Sequence, residues 1–241
     1  MHSALVMAIA AATCMATLGG GAAALRLRDR LHLILGFSAG AVIAVSFFDL
    51  LPESLKLAGL APEDLVTLMA VGFFAYLVLD RLILFHTHLD AHGPAVSVER
   101  GWMAATSLSA HSFMDGFAIG IGFQASMAVG AVVAAAVLAH DFSDGLNTVN
   151  LILKNGGTRR QAFAWLAIDA LTPVVGAAAS LFVRLSAASL SMVLAVFAGF
   201  FFYIGASDLL PDSYHAHPKV LTTVMTLAGA GLLYAVVRMS G

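Results

Sequence analysis

The sequence predicts an all-α polytopic membrane protein with eight transmembrane helices in a three-plus-two-plus-three inverted repeat. Three observations carry the prediction. Of the 241 residues 60% are hydrophobic and 11% charged, against roughly 25% charged in an average soluble domain, and the mean hydropathy is +0.92. Eight apolar segments are long enough to cross about 30 Å of hydrocarbon as helices, and none alternates in polarity as a membrane strand does. Finally, SAGAVIAVSFFDLLPES at 38–54 and FAGFFFYIGASDLLPDS at 197–213 repeat one another at an offset of 159 residues.

The first helix is expected near 3–25. Its leading MHSA carries no Lys or Arg, while Arg26, Arg28 and Arg30 follow it. That charge order suits a first helix with its N-terminus outside better than a cleaved signal peptide. The second helix is expected near 31–51 and the third near 65–86, beyond LAPED at 60–64. The fourth and fifth, near 101–123 and 127–153, flank a short connection at Ala125 and Ser126. KNGGTRR at 154–160 precedes the sixth, near 160–184; the seventh lies near 190–210 and the eighth near 218–238, after HAHPK at 215–219. Residues 1–241 therefore form a single transmembrane domain, with repeat units of about 3–86 and 160–238 around a central pair at about 101–153.

Charge sets the expected orientation. With eight spans and an outer N-terminus, the cytoplasmic side receives Arg26, Arg28, Arg30, Arg81, Arg100, Lys154, Arg159, Arg160 and Lys219, and the outer side Lys56, Arg184 and Arg238. This bias places both termini outside a plasma (inner) membrane. The two copies of the long repeat then lie on helices 2 and 7, which run in opposite directions, the architecture of many secondary transporters. A net charge of −2 gives no basis for nucleic-acid binding, and Cys14 has no second cysteine to pair with.

A shorter repeat lies on the central pair: HSFMDG at 111–116 and HDFSDG at 140–145. His and Asp at i and i+4 share a helix face, and His111 and His140 are equally far from the 125–126 connection. In an antiparallel hairpin both imidazoles therefore reach mid-membrane, about 20 Å from the turn. Ionisable groups at that depth face an interior or a cavity and are functional candidates. One hexapeptide alone is equally well explained as a buried interhelical hydrogen bond. Two at equal depth point to metal or proton chemistry, and imidazole with carboxylate suits borderline divalent ions such as Zn²⁺, Fe²⁺, Mn²⁺, Co²⁺ and Ni²⁺. Asp141 adds a third carboxylate near the site, about 100° around the helix, and Asn147 shares the face of His140.

The eight-helix plan, the paired His-x-x-x-acid-Gly motifs and the DLLPES and DLLPDS segments resemble the ZIP (ZRT/IRT-like) divalent metal transporters over essentially the whole chain. The resemblance implies a transport site midway along helices 4 and 5, with His111, Ser112 and Asp115 on one and His140, Asp141 and Asp144 on the other, passing metal toward the cytoplasm. This chain departs from the family pattern in Asp for Glu at 115 and 144, Ser for Asn at 112, and Met114 and Ser143 where prolines are usual. Thr172 precedes Pro173 where a Glu is common, and Asp169 lies three residues earlier. These changes leave a four-residue site intact and put a second, adjacent metal site in doubt.

Peripheral candidates are Asp49, Glu53, Asp208 and Asp212, read as the acidic ends of helices 2 and 7 and as cation attractors at the two mouths or simply solvated acids. His86, His88 and His92 fall in the connection after helix 3, and His215 and His217 after helix 7; solvated loop histidines explain them equally well. Gly36/Gly40 and Gly116/Gly120 are pairs of small residues that permit close helix packing. The expected function is transport of divalent cations, zinc first among them. The expected partners are the ion, the lipid bilayer and, as a candidate, a second copy of the chain, with no organic cofactor. The alternatives are a membrane-embedded zinc hydrolase, against which stand the inverted repeat and the lack of HExxH, and a non-transporting metal-binding relative.

Overall fold

The computed structural model describes residues 2–27, 31–57, 60–89, 97–214 and 220–240. These form eight long helices, with no strand among the described residues. They are α1 (His2–Leu27), α2 (Leu31–Val45, continuing through a π-helical turn at Ser46–Leu50 into Leu51–Leu57), α3 (Pro62–Leu89) and α4 (Val98–Ala125). Then come α5 (Met127–Lys154), α6 (Arg159–Ser180), α7 (Ala187–Tyr203, through a π-helical turn at Ile204–Leu209 into Leu210–Tyr214) and α8 (Val220–Ser240). Seven are long and apolar enough to cross a membrane, and the chain is a multi-pass membrane protein. The exception, α4, matches them in length at 28 residues but carries Thr106, Ser107, Ser109, His111, Ser112 and Asp115 along one apolar run.

Helices α2 and α7 correct an expectation. They do not end at the DLLP segments but run on past Pro52 and Pro211. A proline inside an α-helix lacks an N–H and crowds the carbonyl four residues earlier. In both helices the residue before the proline bonds five residues back instead, Leu51 N–H to Ser46 O and Leu210 N–H to Gly205 O. This wider π turn accommodates the ring, and it occurs at equivalent places in the two copies of the repeat.

Packing pairs α1 with α5 and α6, α2 with α8, α3 with α7, and α4 with α5 and α6. Close approach is made by glycine reciprocally. A Cβ on Gly116 of α4 would meet the Pro173 carbonyl of α6, and one on Gly176 of α6 would meet the Phe113 carbonyl of α4. The same exchange links α5 to α1: Gly145 faces the Thr17 carbonyl, and Gly20 faces the Phe142 carbonyl. Gly40 faces the Thr226 carbonyl between α2 and α8, as Gly199 faces the Met69 carbonyl between α7 and α3.

Connections are tight. One residue, Ser126, joins α4 to α5: its N–H donates to Gly122 O at 3.1 Å and its hydroxyl accepts from Val129 N–H at 3.1 Å. It thereby caps both helices. Between α5 and α6, Gly156 adopts φ 82°, the left-handed conformation that favours glycine. Thr158 and Gln161 then form a capping box at the start of α6.

Candidate metal centre

The α4/α5 hairpin brings His111, Asp115, His140 and Asp144 together, each 5% exposed or less. One ligand atom from each lies within 4.8 Å of all the others. Asp115 Oδ2 stands 3.0 Å from His111 Nε2 and 3.1 Å from His140 Nε2. Asp144 Oδ2 is 3.6 and 3.8 Å from the same two nitrogens, and the nitrogens are 3.4 Å apart. A tetrahedral shell with bonds near 2.1 Å holds its ligands roughly 3.4 Å from one another, so the five measured spacings bracket that of a bound divalent ion. Asp144 Oδ2 has no hydrogen-bond partner although it is fully enclosed.

The ring nitrogens facing away from this point are also engaged. His140 Nδ1 lies 2.8 Å from the Ala136 carbonyl, one turn earlier on α5. His111 Nδ1 lies 2.9 Å from the hydroxyl of Tyr76 on α3. Ser38 on α2 braces α5 beside the site, its Oγ 2.8 Å from the Ala139 carbonyl and 3.0 Å from Ser143 Oγ.

The other sequence candidates stand outside this four-residue cluster. Ser112 is buried but its hydroxyl turns to Asp169 Oδ1 at 2.8 Å, and Thr148 on α5 donates to Asp169 Oδ2 at 2.8 Å. Asp169 on α6 thus ties α4, α5 and α6 together through two hydroxyls. Asp141 is buried, and neither of its carboxylate oxygens has a partner. Asn147 is partly exposed on α5.

Asp49 and Asp208 sit inside the two π-helical turns rather than at helix ends. Asp49 is buried with Oδ2 unpartnered, because the helix continues around it instead of releasing it to the interface. Glu53 pairs with Lys56 at 3.2 Å, and Asp212 is exposed. Asp208 is partly exposed and lies within electrostatic reach of Tyr76 and His111. His92, His215 and His217 lie outside the described residues, as do the side chains of His86 and His88.

Tyr76 and Thr148 were not among the sequence candidates. A signal for Tyr76 was present: it stands in the middle of an apolar helix, whereas membrane tyrosines concentrate at the interfaces. Asp80 follows it by one turn and accepts a hydrogen bond from Tyr203 on α7 at 3.0 Å.

The pattern of the ZIP zinc transporter family matches residues 90–236. The chain is 32% identical to human zinc transporter ZIP6 over 115 residues, 47% of this chain and 15% of that protein. It is 33% identical to human zinc transporter ZIP4 over 132 residues, 55% of this chain and 20% of that one. Against zinc transporter ZupT of Corynebacterium aurimucosum it is 28% identical over 218 residues, 80% of this chain and 81% of the relative. The match thus spans less than a quarter of the human relatives' length and most of the bacterial one's.

Proposed function

The chain belongs to the ZIP zinc transporter family, and from that premise we propose that it moves divalent transition-metal cations, zinc first, across the membrane into the cytoplasm. The transport site is His111, Asp115, His140 and Asp144. The observation that carries this reading is their mutual spacing: four donor atoms from two antiparallel helices, with five of their six separations at 3.0–3.8 Å, around the roughly 3.4 Å a tetrahedral ion imposes on its ligands.

The chemistry follows from charge and desolvation. An ion entering a helical bundle loses water, and a net charge left in the bilayer interior is costly. Two neutral imidazoles replace hydration without adding charge, and two carboxylates cancel the two positive charges. Monovalent and trivalent ions leave the site unbalanced, so it favours divalent ones. Nitrogen and oxygen donors without a thiolate suit borderline metals and hold them weakly enough for release. Asp169 braces α4, α5 and α6, each of its oxygens accepting from a hydroxyl.

Transport proceeds by alternating access around this point. The matched π turns in α2 and α7 and the matched glycine contacts of α4 with α6 and α5 with α1 support an eight-span inverted repeat, with helices α1–α3 related to α6–α8. The predominance of Lys and Arg on one side supports outward-facing termini.

Uptake of Zn²⁺, Mn²⁺, Fe²⁺, Co²⁺ or Cd²⁺ into proteoliposomes tests the reading. The wild-type chain is expected to load vesicles with zinc. Binding of zinc without uptake identifies a non-transporting relative, and normal uptake by the His111→Ala/His140→Ala variant removes the site assigned above.

A further inference from the structure

The two imidazoles reach the same point but are anchored differently. A carbonyl oxygen only accepts, so the 2.8 Å contact to Ala136 O puts the hydrogen of a neutral His140 on Nδ1 and leaves Nε2 its lone pair. Tyr76 offers His111 a hydroxyl, which either donates or accepts. Beside Asp115 Oδ2 at 3.0 Å, His111 Nε2 can keep its hydrogen while Tyr76 donates to Nδ1. A cation bound at Nε2 needs the opposite arrangement, with Nδ1–H donating to Tyr76. A phenol satisfies both without moving its oxygen.

The oxygen is also held in place. Tyr76 is 7% exposed, and its ring packs against Phe200 and Tyr203 of α7 with centroids 5.6 and 5.2 Å away. It meets the His111 ring edge-on, at 89°. Buried aromatic contacts of this kind fix a ring's position, and the group bonded to the far nitrogen of a metal-binding histidine fixes that imidazole's orientation and tautomer.

We propose that Tyr76 is a positioning residue for metal binding: its hydroxyl orients His111 and accepts the Nδ1 hydrogen when Nε2 takes the cation. It does not touch the ion. This rests on reading the four-residue cluster as the transport site. The helix bearing Tyr76 packs on α7, so the residue also links one ligand to a helix pair that contributes no ligand of its own to that cluster.

The test uses the full chain with Tyr76→Phe, which keeps the packed ring and removes only the oxygen. Zinc affinity of the purified protein is measured by competition with a chromophoric chelator, and KM and Vmax for zinc uptake in proteoliposomes. Loss of such an outer partner typically weakens a metal site about 10–100-fold. The dissociation constant and KM are expected to rise together in that range, with Vmax changing much less. In ¹⁵N-detected NMR of the zinc-loaded protein, the hydrogen-bonded Nδ1–H signal of His111 is lost while that of His140 stays. On a His111→Ala background, Tyr76→Phe adds no further weakening. An affinity and KM within twofold of wild type overturn the proposal, as does an equal weakening on the His111→Ala background. Wild-type protein that binds no zinc overturns the metal-site reading instead, so the two failures are distinct.

Discussion

HSFMDG on α4 and HDFSDG on α5 share His, Phe, Asp and Gly, and the structure gives the four letters two separate purposes. The His and Asp side chains converge on one point. The Phe carbonyl and the Gly lie on the opposite contact, where each helix touches a neighbour: α6 for the first copy and α1 for the second. Half of the motif forms the proposed site and half is close packing that aims it. The copies differ in what surrounds them. On α4, His111 and Ser112 are both bonded to side chains of other helices, Tyr76 and Asp169. On α5, His140 is satisfied by its own helix, while Asp141 and Asp144 keep unpaired oxygens. The lesson is that equal sequence at equal depth yields one firmly braced half and one half with unmet acceptors.

The largest expected effect breaks both halves at once. His111→Ala/His140→Ala should lower zinc binding and uptake beyond the ~10–100-fold typical of losing an outer partner, measured by chelator competition and vesicle loading. Next comes the packing half. Gly116→Val and Gly145→Val should each destabilise the protein by about 1–3 kcal/mol, because the added carbons meet backbone that cannot yield. Unfolding in detergent measures this, and unequal costs would break the equivalence of the two contacts.

The carboxylates should then separate the halves. Without metal, Asp115→Asn should cost about 1.5–3 kcal/mol, since Asp115 accepts from His111 Nε2–H at 3.0 Å and lies 3.1 Å from His140 Nε2. Asp144→Asn should leave metal-free stability unchanged or raised, because its Oδ2 accepts from nothing. Both variants should bind zinc more weakly. The smallest effects lie at the unshared position. Ser112→Ala should lose about 1 kcal/mol with its bond to Asp169, while Asp141→Asn should not destabilise, having no bond to lose. Thermal unfolding of the pair checks the difference in sign.

Much of this was legible in the chain itself. The connection expected at Ala125 and Ser126 is found at Ser126, and α4 and α5 extend only a few residues beyond the expected 101–123 and 127–153, because apolar run length and a capping serine are local properties. The acidic DLLP segments read as the ends of α2 and α7, whereas a π turn before each proline lets both helices continue. Asp49 was consequently expected at a solvated mouth and is buried.

By itself the sequence determined the helical membrane class, the approximate position of each long helix, and the level at which two His/Asp pairs meet, since hydropathy, a 1.5 Å rise and an i,i+4 face are set by neighbours along the chain. Only the tertiary structure decided what stands behind the residues of the proposed site. Tyr76 is 35 residues from His111 and Asp169 is 57 from Ser112, and such partners are chosen by which helices pack together. Glycines meeting carbonyls across helices admit that packing; small-residue pairs in the sequence mark a face that can approach closely, not the helix that meets it.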